Sequence, residues 1–137
     1  MNQLAEDNYF GEVINTYSRM QAIEDGILID VSTIALEAGF TIPVAVTYTL
    51  WHDFIEWTKA DNEIQTYQDT DGRLWDVLSM LRFAIKKSAE TSCVLYKLYV
   101  IPRDGKSTKP RLTQLKAVIS GGDNGEPVIT VMLPNED

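Results

Sequence analysis

Between Asn8 and Ala22 the apolar positions Phe10, Val13, Ile14 and Tyr17 recur at steps of three, one and three, which places them on one face of a helix. Asp7 or Asn8 can cap its start. Asp25-Gly26 breaks the pattern, and Ile27-Leu28-Ile29-Asp30-Val31 is a short β-favouring run that predicts a buried strand. Ser32 can cap a two-turn helix over Thr33–Ala38, and Gly39 follows where a left-handed backbone favours glycine. Pro43 keeps the next piece extended.

Thr47 opens a second helix, with Leu50, Trp51, Phe54 and Ile55 as its inward stripe and His52, Asp53, Glu56 and Lys59 off it. Trp57 extends that stripe or touches a partner. Over Gln65–Trp75, extended residues flank a turn in which Gly72 is free to take positive φ, predicting a small hairpin; a helix start at Asp71 is the competing reading. From about Asp76 to Ala89 the chain reads as a helix, with Val77, Leu78, Leu81, Ala84 and Ile85 inward and Lys86 and Lys87 near its C-terminal end, where cations suit the dipole. Met80 and Phe83 fall outside the stripe and mark either a wider buried face or an exposed contact patch.

The last third reads as three strands, Cys93–Ile101, Arg111–Ile119 and Pro127–Leu133, joined by polar connections. The fold class is therefore α+β: N-terminal helices with a short strand, then a C-terminal three-stranded antiparallel meander packed against helices. A chain of 137 residues suits a single domain over 1–137, with residues 1–7 and 134–137 expected to be flexible. No apolar run approaches the roughly 18 residues of a membrane span, and the opening MNQLAEDNYFGE lacks the basic flank and apolar run of a secretory signal, so the cytoplasm is the expected location. The single Cys93 has no partner for an internal disulfide, and its place in Cys93-Val94-Leu95 suggests a small buried thiol.

Charge adds an asymmetry. The net −8 divides into −11 over residues 1–79, where 14 Asp/Glu face 3 Lys/Arg, and +3 over residues 80–137, where 6 face 9. The acidic half should repel nucleic acid and membrane surfaces, whereas the basic half is suited to phosphates if its cations share a face. Otherwise the two halves are solvated faces of opposite sign.

Familiar chemistry is thinly represented. His52 and Glu56 stand four apart on a helix with Asp53 adjacent, but one histidine and one cysteine fall short of a zinc site, and an exposed pair is the simpler reading. Asp69, Asp71 and Asp76 around Gly72 lack the spacing of a calcium loop. Nucleophile motifs and glycine-rich phosphate loops are missing. No catalytic residue, metal or cofactor is therefore expected. The basic meander offers a nucleic-acid-binding or small-ribonuclease surface made of Lys97, Tyr99, Arg103, Lys106, Lys109 and Arg111, with Lys97 and Tyr99 on one face of their strand and Tyr96 on the other. The bland alternative is a basic hairpin tip that keeps an edge strand soluble. Trp51, Asp53, Glu56, Trp57, Met80 and Phe83 are the candidate protein-interaction residues, since tryptophans among carboxylates that are not core suit an interface.

Asp25-Gly26-Ile27-Leu28-Ile29-Asp30-Val31-Ser32, Glu37-Ala38-Gly39-Phe40, Pro43-Val44-Ala45-Val46-Thr47, Gly72-Arg73-Leu74-Trp75-Asp76-Val77-Leu78, Pro102-Arg103-Asp104-Gly105 and Gly125-Glu126-Pro127-Val128-Ile129-Thr130 carry a resemblance. Over residues 8–137 the chain resembles an uncharacterised family of small bacterial proteins, a domain of unknown function often met on plasmids, phages and other mobile elements. The resemblance implies a genomic setting and supplies no activity and no site residues. With the acidic half, it makes a non-enzymatic accessory or inhibitor-type protein with a protein partner the leading expectation. Nucleic-acid binding is the alternative, no membrane partner is expected, and the oligomeric state is open, with Met80, Phe83 and the meander edges as surfaces for a dimer.

Overall fold

The computed structural model describes residues 17–88 and 91–137. Most of the helix expected from Asn8, and the chain start expected to be flexible, lie outside these residues. The described part opens with helix α1, Arg19–Glu24, whose first turn is closed by the Ser18 hydroxyl accepting from the Gln21 N–H at 3.0 Å. Strand β1, Leu28–Asp30, follows the Gly26 turn. It is half-buried and not buried as its composition suggested, because it lies at the edge of the sheet with only one neighbour. Helix α2 spans Ser32–Glu37, and Ser32 does not cap it: its hydroxyl donates to Asp30 Oδ1 at 2.7 Å and accepts from the Val44 N–H at 3.1 Å, tying β1 to the chain beyond. Gly39 ends this helix at φ 104°, and a Cβ there would also meet Arg82 Nε at 2.5 Å.

The extended piece after Pro43 is strand β2, Val44–Thr47. Helix α3, Tyr48–Leu50, then runs into a π-turn over Trp51–Ile55, closed by the Glu56 N–H donating to the Trp51 carbonyl at 2.8 Å. Thr47 caps α3 through its hydroxyl, which accepts from the Leu50 N–H, and Leu50 and Ile55 are fully buried while Trp51 and Phe54 pack partly against the core. The chain turns extended at Glu56, and a helix the sequence pattern did not reveal, α4, Lys59–Ile64, starts from a capping box between Thr58 and Asp61.

The hairpin expected over Gln65–Trp75 does not form. Helix α5 spans Thr70–Lys87, with Asp69 as its cap accepting from the Gly72 N–H at 2.6 Å. Gly72 lies inside the helix rather than at a positive-φ turn, so the competing helix reading is the better one and the helix starts earlier than the pattern from Asp76 indicated. Val77, Leu78 and Leu81 are buried as expected, whereas Met80 and Phe83 are exposed.

Strands β3 (Cys93–Val100), β4 (Arg111–Gly121) and β5 (Pro127–Met132) form the antiparallel meander. It is part of a larger sheet. The strand order among the described residues is β1-β2-β5-β4-β3, with β2 parallel to β5 and the other pairs antiparallel. This single mixed sheet turns Val44, Val46, Tyr96, Leu98, Leu115, Ala117, Ile129 and Val131 toward α5, α2 and the π-turn, where they form one core. Alternation puts Cys93, Leu95, Lys97 and Tyr99 on the outer face, so the Cys93 thiol is exposed and not buried. α1 crosses that outer face: the Arg19 guanidinium donates to Thr130 Oγ1 and the Ile129 carbonyl, and Asp123 from the β4–β5 turn receives the Arg19 and Met20 N–H groups.

Candidate functional site

Residues 48–76 fold into a compact helical end built around two arginines. Arg73, on the inward side of α5, is buried, and its guanidinium donates to the Phe54, Ile55 and Ile101 carbonyls and to Gln68 Oε1 while lying 4.3 Å from the centre of the Trp57 ring. Two of those carbonyls belong to the π-turn, whose wide backbone leaves them directed at the cation. Burial pulls the Arg73 pKa down to about 10, and the charge of nearby Arg103 adds to the effect, so the group remains a cation at neutral pH.

Arg103 closes the same region from the other side. It leaves the β3–β4 connection and donates to Asp61 Oδ2 at 2.9 Å, Glu56 Oε1 at 3.2 Å and the His52 carbonyl at 2.6 Å. Partial burial works to raise the Asp61 pKa, but the Thr58 N–H and hydroxyl and the Arg103 guanidinium outweigh it and hold it below the ordinary carboxylate value. Gln65 also fastens the connection, its amide donating to the Pro102 and Ser107 carbonyls and accepting from the Gly105 N–H. Within the loop, the Ser107 hydroxyl and the Ser107 and Lys106 N–H groups hold the Asp104 carboxylate at a pKa of about 2.

The two sets of residues singled out in the sequence are each divided by this arrangement. Of the protein-interaction set, Asp53 is exposed, Glu56 is paired with Arg103, Trp51 is half-buried, and Trp57, 5% exposed, is core that stacks on Arg73 and donates its indole N–H to Asn62 Oδ1. Met80 and Phe83 are exposed on α5, Met80 sharing a groove with Trp75 and Phe83 lying under the Lys87 ammonium. Of the nucleic-acid set, Lys97 and Tyr99 line a groove with Trp75, Asp76, Ser79 and Met80, Arg103 is spent on carboxylates, and Lys106, Lys109 and Arg111 are exposed on and beside the loop. Tyr96 points inward, its hydroxyl donating to the Val77 carbonyl, and burial raises its pKa.

His52 pairs with Asp53 at 2.9 Å and stacks on Tyr48, while Glu56 is engaged by Arg103. Among the described residues no group of three or more His, Cys, Asp or Glu side chains is placed to hold a metal ion. An open cavity of about 850 Å³ lies on the outer face of the sheet, lined mostly by apolar groups and hydroxyls such as Leu28, Thr47, Tyr48, Val118, Thr130 and Met132. Glu136 at its rim is engaged by the Thr47 hydroxyl and the Leu133 N–H.

Two residues that the sequence reading passed over stand out on the helical end. Tyr67 is 80% exposed and Ile64 is 62% exposed, on the stretch that leaves α4 toward Asp69. Asn62 Oδ1 accepts from the Gln68 N–H and folds this stretch back, and Glu63 and Asp69 flank the two apolar residues along the chain. Their signal in the sequence was an apolar pair with no periodic partners. No helix among the described residues is long and apolar enough to cross a membrane.

No curated protein and no solved structure matches the chain. The model of one family covers residues 2–137, nearly the whole sequence, and the chain therefore belongs to that family, described as a family of unknown function (DUF6573).

Proposed function

We propose that this protein is a non-enzymatic accessory protein of a bacterial mobile element, working in the cytoplasm by binding a basic protein partner through its acidic helical end. The observation that carries this reading is the exposure of Tyr67 and Ile64 on a stretch of chain rich in carboxylates. Residues 51–76 hold seven Asp/Glu against two Lys/Arg, one of them the buried Arg73, and Arg103 from the β3–β4 connection pairs with two of the seven, Glu56 and Asp61. Exposed aromatic and aliphatic side chains ringed by one sign of charge supply both an anchor and long-range steering for a partner of opposite sign.

The test is capture of partners on immobilised protein after nuclease treatment, comparing the wild type with a Tyr67→Ala/Glu63→Lys double variant. A basic protein retained by the wild type, released by salt and weakened at least about tenfold by the double variant is the expected outcome, as truncation of an aromatic anchor costs roughly 2 kcal/mol. The nucleic-acid reading is favoured by the exposed Lys106, Lys109 and Arg111, but Arg103, another of the five cations of that group, is committed to Asp61 and Glu56. Salt-sensitive retention of RNA or DNA that is lost on replacing Lys106, Lys109 and Arg111 would favour it instead.

A further inference from the structure

The sheet manages its two edges differently. β1, at one edge, is three residues long, too short to template another strand. β3, at the other, is an uninterrupted eight-residue strand without proline or glycine, in continuous register with β4 from Cys93↔Val118 to Val100↔Arg111. The Ile119 N–H donates to the Ser92 carbonyl, so the even-numbered positions of β3 exchange bonds with β4. Antiparallel alternation then turns the N–H and C=O groups of Leu95, Lys97 and Tyr99 toward the edge that has no partner strand among the described residues, while those of Cys93 are met by the Thr91 hydroxyl. Lys97 is the one charge among them.

Both sides of this edge carry exposed apolar groups. On the helical side, α5 exposes Trp75 (42% exposed), Met80 and Phe83, the last two three residues apart and neighbours on the helix surface, and on the outer side stand Leu95, Tyr99 and Leu112. Trp75, Met80, Tyr99 and Leu112 line one groove of about 380 Å³ along the edge. α5 and β3 follow one another through a short connection, and at about 27 Å for 18 helical residues and about 26 Å for eight strand residues they match in length.

We propose that this edge is the interface for a second copy of the chain: β3 pairs antiparallel with β3 of the other copy, continuing the sheet, and the exposed apolar side chains of the two α5 helices pack against each other across the two-fold axis. The charge pattern of α5 selects this occupant. Its first two turns carry the exposed Asp71 and Asp76 and its last turn the exposed Lys86 and Lys87. A two-fold axis through the β3 edge sets the two helices antiparallel, so each acidic start faces the basic end of its mate and the helix dipoles oppose. The pairing centred on Tyr96 joins Leu95 to Lys97 of the mate, sets Cys93 opposite Tyr99 with the mate's backbone replacing the Thr91 hydroxyl, and keeps Lys97 from facing its own symmetry equivalent. This surface is separate from Tyr67 and Glu63, so it stands or falls independently of the proposed partner.

The experiment is sedimentation equilibrium of the full chain at micromolar concentrations, read alongside far-UV circular dichroism. Lys97→Pro removes an N–H that faces the open edge and no bond of the β3–β4 ladder, so the fold is retained. The expected result is a dimeric wild type, a dissociation constant raised at least about tenfold by Lys97→Pro, a similar weakening by Asp71→Lys/Asp76→Lys, and recovery when Lys86→Asp/Lys87→Asp is added. A wild type that is monomeric throughout overturns the proposal. So does a dimer that Lys97→Pro leaves intact, since its interface then lies elsewhere.

Discussion

At the scale of single residues, the buried Arg73 organises the helical end. It donates to three backbone carbonyls, those of Phe54, Ile55 and Ile101, and Trp57 covers its plane. Removing the guanidinium leaves those carbonyls buried without donors, each a loss of about 1–3 kcal/mol. Arg73→Met is therefore expected to lower stability by about 3 kcal/mol or more in urea denaturation. Arg73→Lys should recover only a small part, because an ammonium cannot reproduce the planar fork that reaches several acceptors. A variant within about 0.5 kcal/mol of wild type would contradict this account. Arg73 was legible only as one residue of a resemblance, since nothing in a lone arginine on an amphipathic helix announces that it turns inward. Trp57, weighed as core or contact, proved to be core for the same reason: the cation needed a ring.

At the scale of elements, capping chemistry decided what hydrophobic period could not. α4 is six residues long with no fully buried side chain, so it leaves no apolar stripe to read, yet Thr58 and Asp61 form a complete capping box. Asp61 serves that box and Arg103 together, and its folded-state pKa is depressed. Its contribution is therefore fully present above the ordinary carboxylate value, about 3.9, and is lost as pH falls through the folded value. Asp61→Ala is expected to cost about 1–2 kcal/mol at neutral pH, with the gap to wild type narrowing below about pH 4. A gap that stays constant into acid would show that the carboxylate charge does not carry the effect. The same logic explains the missing hairpin. Asp69-Thr70-Asp71-Gly72 has turn composition, but Asp69 is an equally good helix cap, and the buried Arg73, Leu74 and Val77 that follow reward a helix with core contacts a hairpin would forgo.

At the scale of the whole molecule, one core joins residues distant in the chain. Leu50 of α3 and Leu115 of β4 are buried in the same cluster with Val46 of β2 and Val131 of β5. Leu50→Ala and Leu115→Ala should each cost about 2–5 kcal/mol and move a single transition, with tryptophan fluorescence and far-UV circular dichroism superimposing. Two separated transitions would argue against a common core. The sequence by itself determined the α+β class, the end of α2 at Gly39, the inward stripe of α5, the three C-terminal strands and the facing of Lys97 and Tyr99, because strand alternation and helical period are set by nearest neighbours along the chain. It also determined membership in a family, through motifs spread along its length. Tertiary structure alone decided that β2 joins the sheet parallel to β5, that Arg103 turns to the carboxylates and not to solvent, that Cys93 and Tyr67 are exposed, and that β3 ends the sheet among the described residues. Each of those depends on what lies across from a residue in space, and pairing between distant segments leaves no local period to read.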